Sequence, residues 1–258
     1  MKILVCIKAV PEPEHAICNG NVFPEVSVDD HTELRMNRFD EFAVEEAVLI
    51  KESFPGTIVN VITMGPENAV KTIKRAIGMG ADKGIHILSD YHTACDAVAA
   101  SSCIAQVAQG KNHDLILCGI MSEDMMQFSV GPMLAQRLSL PWATSVIQTD
   151  IDPNHQKIRV ERELEGGIKA IVEIDLPALL TIQSGINEPR YPSLSNLLRA
   201  NKSRITTITA DTLNQPELTC QTMGYSYPEK KRDGLIIEGT PQEKAETLLR
   251  ILREKSLI

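Results

Sequence analysis

Through the first two-thirds of the chain, short apolar runs alternate with amphipathic stretches. Residues 3–7, 58–63, 84–88 and 114–118 are β-branched or leucine-rich and short, the pattern of parallel strands buried on both faces. Three helical patterns lie between them. Phe39, Phe42, Ala43, Ala47 and Ile50 share one face; Ala69, Val70, Ile73, Ala76, Ile77 and Gly80 share a second; Ala97, Val98, Ile104, Ala105 and Ala108 share a third. Strand, helix, strand in this order predicts right-handed crossovers and an α/β fold with a mostly parallel, doubly wound sheet. Asn37, before Arg38-Phe39-Asp40, predicts an N-cap with a carboxylate at the third helical position, and Pro66 predicts a first helical turn.

The pattern changes after Pro141. Residues 157–163 alternate, Leu164-Glu165-Gly166-Gly167 turns, and residues 168–174 alternate again, which predicts an added β-hairpin. Residues 176–182 read as one more buried strand. From about 201 to 239 no period is sustained, and the charged run Glu229-Lys230-Lys231-Arg232-Asp233-Gly234 falls there, so the stretch reads as an irregular arm. Thr240-Pro241-Gln242-Glu243 is a capping box with proline at the first helical position, followed by Ala245, Leu248, Leu249 and Leu252 on one face. The expected division is an α/β nucleotide-binding-type domain at 1–200 and an arm with a docking helix at 201–258.

Composition narrows the function classes. With 43% hydrophobic and 23% charged residues the 258-residue chain is ordinary and globular. Its net charge of −8 argues against nucleic acid, which is bound by clustered basic charge. No apolar run approaches a bilayer span, so no membrane insertion is expected. The opening residues read as a buried strand rather than a signal peptide, and the expected location is the cytoplasm. The six cysteines, at 6, 18, 95, 103, 118 and 220, form no Cys-x-x-Cys pair and no metal-ligand spacing with histidine, so no metal is expected.

In an open parallel sheet, ligands bind beyond the carboxyl ends of the strands where the strand order reverses. Four segments should converge there: Lys8-Ala9-Val10-Pro11, Met36-Asn37, Thr63-Met64-Gly65-Pro66, and residues 119–131. In the last, Gly119, Ser122, Asp124, Ser129, Val130 and Gly131 are the candidates for holding a nucleotide, with Ala9, Asn37 and Thr63–Pro66 completing the crevice. A helix starting near Gly131 can present backbone N–H groups to a phosphate. No Walker loop, Gly-x-Ser-x-Gly elbow or histidine-paired serine is present, so no catalytic residue is assigned. A nucleotide-sized crevice without a catalytic constellation favours a binder or carrier over a hydrolase.

These segments, taken together, resemble the β subunit of electron transfer flavoprotein along essentially the whole chain. The strand at 2–8, Met36-Asn37 with the acidic helix start, and Met79-Gly80-Ala81-Asp82 are similar to family segments. Val160-Glu161-Arg162-Glu163-Leu164-Glu165-Gly166-Gly167, continuing to Leu176-Pro177-Ala178, resembles the family signature, and Asn187-Glu188-Pro189-Arg190-Tyr191-Pro192-Ser193-Leu194 resembles its partner-recognition segment. Val130-Gly131-Pro132, Ser122-Glu123-Asp124 and residues 236–241 look closest to the electron-bifurcating and nitrogen-fixation-associated branch. The resemblance implies a Rossmann-like, adenine-nucleotide-binding fold and a heterodimer with an α subunit. It also implies an FAD shared with that subunit, with AMP or a second FAD in the β pocket. Electrons would arrive from an acyl-CoA-type or other flavin dehydrogenase and leave to a reductase or ferredoxin. Arg162 and Glu163 would lie on the flavin side, while Arg190, Tyr191 and Leu194 would meet the dehydrogenase. Met125, Phe128 and Ser129 depart from the polar run usual in the nucleotide loop. The alternatives are a stand-alone adenine-nucleotide module of stress-protein type and a nucleotide-free scaffold subunit.

Overall fold

The computed structural model describes residues 1–12, 33–152, 154, 156–216 and 234–257, with the backbone of two short strands at 18–19 and 25–26. After β1 (Lys2–Cys6) come β2 (Ala9–Pro11), β3 (Cys18–Asn19), β4 (Glu25–Val26) and β5 (Leu34–Met36), which pair antiparallel as β2 with β5 and β3 with β4. The alternation then runs α1 (Arg38–Ser53), β6 (Ile58–Gly65), α2 (Val70–Met79), β7 (Lys83–Leu88), α3 (Tyr91–Cys95), α4 (Ala97–Ala108), β8 (Leu115–Gly119) and α5 (Val130–Leu138). There follow β9 (Trp142–Ile151), the hairpin β10 (Lys157–Glu163) and β11 (Lys169–Asp175), β12 (Ala178–Ile182), α6 (Leu194–Asn201) and β13 (Ile205–Thr209). The chain divides into two compact units, Met1–Gly224 and Tyr225–Ile258.

One nine-stranded sheet carries the first unit, in the order β11-β10-β9-β12-β8-β1-β6-β7-β13. Every pair from β9 across to β13 is parallel, and only β10 runs antiparallel to its neighbours. Strand alternation divides the core. Ile3, Val5, Val59 and Val61 face α1 and α2, while Leu4, Ile62, Ile87 and Ile116 face the layer of α4 and α5. The order reverses at β1, which has β6 on one side and β8 on the other. That reversal opens the crevice.

Four predicted strands, three predicted helices and the hairpin are present at their expected places. The hairpin turn uses Gly166 and Gly167, both at φ +76°, a conformation that glycine adopts without strain. Two expectations at helix starts are corrected. Asn37 stands at the N-cap position of α1 as expected but makes no capping hydrogen bond, because its side chain is taken by the loop after β8. Pro66 precedes a short 3₁₀ turn at Glu67–Ala69, and α2 begins only at Val70.

The expected boundary at 200 falls inside the first unit. Ile205-Thr206-Thr207-Ile208-Thr209 pairs parallel with β7 as an edge strand, where an irregular arm was expected. Its β-branched residues at all five positions favour extended backbone. The charged run at 229–233 lies outside the described residues. In the second unit, α7 (Pro241–Glu254) carries the capping box: Thr240 accepts from the Glu243 N–H, and the Glu243 carboxylate accepts from the Thr240 N–H at 2.7 Å. No helix among the described residues is long and apolar enough to cross a membrane.

Candidate functional site

The crevice at the carboxyl ends of β1 and β8 encloses about 690 Å³, counting its open mouth. Its floor is apolar, with Cys6, Met64, Ile104, Cys118 and Ile120 among the lining residues. Cys6 and Cys118 are register partners on adjacent strands, and the hydrogen bond between them, with burial, raises the Cys118 thiol well above its usual value. Both are free thiols.

Asp40 is the polar centre of this floor. It sits in the first turn of α1, 5% exposed, and binds two strand ends at once. The backbone N–H of Lys8 donates to it at 2.7 Å and that of Gly119 at 3.0 Å. Burial pushes its carboxyl up to about 7, against the opposing pull of those hydrogen bonds. Asn37 completes the anchoring. Its amide donates to the Met121 carbonyl at 2.8 Å and accepts from the Glu123 N–H at 3.1 Å, holding the loop after β8 to the start of α1.

A second polar group stands beside the cavity. The Lys8 ammonium lies 2.7 Å from Asp124, whose carboxylate also accepts from the Tyr91 hydroxyl at 2.8 Å. Lys8 also reaches Cys95 Sγ at 3.4 Å. Burial alone would raise the Asp124 carboxyl, but Lys8 and the surrounding donors hold it below its usual value. Burial, with Cys95 and Asp124 alongside, raises the Tyr91 phenol. Met126 and Phe128, at φ +51° and +54°, take left-handed backbone that is costly for such residues. Both side chains are exposed, and Phe128 borders the cavity.

Of the residues singled out in the sequence, Asn37, Met64, Gly119, Ser122, Ser129, Val130 and Gly131 line this cavity. Asp124 stands just behind it through Lys8. Ala9 packs instead with Leu34 and Ala69 in a small separate cluster. Thr63 is fully buried, and its hydroxyl has no partner among the described residues. Gly65 serves backbone structure, its carbonyl bonded by His86 Nε2 at 3.0 Å and by the Ser89 N–H at 3.0 Å, and Pro66 starts the 3₁₀ turn. Lys8, in the first of the converging segments, does line the cavity, whereas sequence reasoning missed Asp40 as a site residue, along with Tyr91, Cys95 and the contribution of α4. The only signal for Asp40 in the sequence is an acid at the third helical position, which points to capping.

The other candidates lie elsewhere. The Arg162 guanidinium donates to the Thr144 carbonyl at 3.1 Å and hydroxyl at 2.7 Å, tying β10 to β9, while Glu163 is exposed. Tyr191 and Leu194 are 85% and 74% exposed, so Leu194 does not pack inward at the start of α6. Arg190 turns away from them onto α1.

The family model described as "Electron transfer flavoprotein domain" matches residues 26–213. The chain belongs to the electron transfer flavoprotein family. It is 34% identical over 235 residues to the electron transfer flavoprotein subunit beta of Bacillus subtilis, covering 89% of this chain and 90% of that one. It is 31% identical to the subunit beta of Methylophilus methylotrophus over 98% of both chains. Over the full length of both chains it is 33% identical to the caffeyl-CoA reductase-Etf complex subunit CarD of Acetobacterium woodii. Membership makes the chain a β-type electron-transfer subunit, associated with FAD and paired with an α subunit, rather than a stand-alone nucleotide module.

The crevice combines an apolar floor with the start of a helix. Its apolar floor can take a planar base. At the start of α5, Ser129 bonds the Gln127 carbonyl at 2.6 Å rather than capping the helix, so Val130 and Gly131, which line the cavity, begin the helix without a side-chain cap. Among the described residues no cluster of three or more His, Cys, Asp or Glu could hold a metal ion.

Proposed function

We propose that this chain is the β subunit of a cytoplasmic heterodimer that accepts electrons from a flavin dehydrogenase, of acyl-CoA or other type, and passes them to a reductase or ferredoxin. When bound, FAD supplies the redox chemistry; the chain's own residues shape its surroundings and hold partners. Arg162 and Glu163, at the end of β10, form the flavin-side wall toward the α subunit. Tyr191 and Leu194 form the docking ridge for the dehydrogenase. The second unit, ending in α7, docks on the α subunit, since α7 carries Leu248 and Leu249 exposed on its apolar face.

The switch-point crevice is proposed to hold an adenine nucleotide, AMP in the first instance. The observation that carries this is the apolar floor beside the uncapped start of α5, with Asp40 and Asn37 among the lining residues. A second FAD, which electron bifurcation at this subunit would require, is favoured by the large apolar rim of Met125 and Phe128.

Co-expression with the α subunit tests the assignment. The purified pair should show a flavin spectrum that this chain alone lacks, and removing residues 235–258 should abolish co-purification. A stoichiometric complex of the truncated chain would contradict docking through α7.

A further inference from the structure

Resting on the reading of Tyr191 and Leu194 as a dehydrogenase-docking ridge, we propose that Glu45 and Glu52 are positioning residues for that docking. They act through Arg190, which fixes the backbone leading into the ridge. The Arg190 guanidinium is spent on this contact. Its Nε and Nη2 donate to Glu45 at 3.0 and 2.9 Å, and its Nη1 and Nη2 donate to Glu52 at 2.6 and 3.1 Å. The Arg190 backbone N–H also donates to Glu45, at 3.0 Å. Glu45 is 3% exposed, and a carboxylate so buried is strongly destabilising unless a cation answers it. Arg190 does so from two sides, and its hydrogen bonds hold the Glu52 carboxyl below its ordinary value.

Three further contacts fasten the same segment. Three residues earlier, the Asn187 amide donates to the Phe42 carbonyl at 3.1 Å and to Glu46 at 3.0 Å, so α1 holds the segment at 187 as well as at 190. On α2, a Cβ at Gly78 would stand 3.1 Å from both Leu197 and Pro192, so glycine lets α6 lie directly against the helix. Arg75, held by Glu41 at 2.8 Å, sits 5.1 Å from the Tyr191 ring centre. Glu45, Asn187 and the Gly78 contact hold the segment from its buried side, while the Glu52 end of the clamp is exposed. They leave Tyr191, Leu194 and Leu198 projecting at 85, 74 and 58% exposure.

Ordering a mobile apolar segment at the moment of docking weakens association, whereas a segment already ordered avoids that cost. The clamp therefore acts on partner affinity. None of its residues lines the crevice, so nucleotide and flavin content should not depend on it.

The test uses the full heterodimer, with an acyl-CoA dehydrogenase reduced by its acyl-CoA as electron donor, and amide hydrogen exchange read over residues 188–200. Glu45→Gln should raise KM for the dehydrogenase about tenfold, the equivalent of one charge-assisted hydrogen bond. It should leave kcat and FAD content unchanged and speed exchange at 190–198. Arg190→Lys, which keeps the charge but not the fork, should fall between wild type and Glu45→Gln. Unchanged exchange in Glu45→Gln overturns the proposal. So does an unchanged KM where Leu194→Ala raises it, and so does a parallel fall in kcat, FAD content and melting temperature, the mark of a merely structural role. If Leu194→Ala leaves KM unchanged, the docking reading itself fails and the inference falls with it. That outcome is recognised by its separation from the exchange result.

Discussion

The Asp40 carboxylate accepts the backbone N–H of Gly119 at 3.0 Å, joining the first turn of α1 to the end of β8. With the Lys8 N–H on its other oxygen, this one side chain fixes the spacing of the two strands between which the crevice opens.

Its titration sets a direction. The unfolded chain loses this proton near the ordinary 3.8, whereas burial keeps it on the folded chain up to about 7. Between those values the folded state binds more protons, so the contribution of Asp40 to stability is greatest at low pH and falls as pH rises through 7. The slope is at most ~1.4 kcal/mol per pH unit, and it vanishes above that window. Asp40→Asn should remove this part of the slope in denaturant titrations from pH 4 to 8. An unchanged slope would show that Asp40 titrates at its ordinary value.

Gly119 is required by closeness. A Cβ there would come 2.3 Å from Asp40 Oδ1 and 2.8 Å from the Phe39 backbone. Gly119→Ala should therefore cost about 1–3 kcal/mol of stability and lower the melting temperature by roughly 3–10 °C. It should also weaken nucleotide retention, because the crevice wall must move. Normal stability and retention together would show that the wall yields freely.

Much of this arrangement was legible from local patterns. The parallel strands declared themselves by short β-branched runs, and the crevice followed from strand ends and the order expected of a doubly wound sheet. The partners of Asp40 were not legible, because Lys8 and Gly119 lie 32 and 79 residues away along the chain. Tyr91 and Cys95 sit on a five-residue helix too short to show a period. β9 was missed because Gln148-Thr149-Asp150 interrupts its apolar pattern where only β10 flanks it. β13 was missed because its residues are at best half-buried. Arg190, read as a partner contact, proved to face α1, since sequence proximity to Tyr191 says nothing of side-chain direction.

Arg162 tests the flavin-side wall. A guanidinium there favours a reduced, anionic flavin by Coulomb attraction, which is worth a few kcal/mol at an effective dielectric of ~20. Arg162→Gln should shift the flavin potential downward by tens of millivolts, where ~59 mV is a tenfold change for one electron, or loosen FAD. Its bonds to Thr144 would be lost as well, so melting temperature is measured alongside. Unchanged potential and FAD retention with a lower melting temperature would make it a purely structural tie between β10 and β9.

The most direct measurement is the nucleotide content of the purified heterodimer, released by denaturation and separated by chromatography. One FAD and one AMP per pair is the expected result, with AMP lost in Gly119→Ala. Two FAD per pair would replace AMP by a second flavin in the same crevice. One FAD and no second nucleotide would contradict the account, leaving the crevice at β1 and β8 without the ligand its geometry was read to hold.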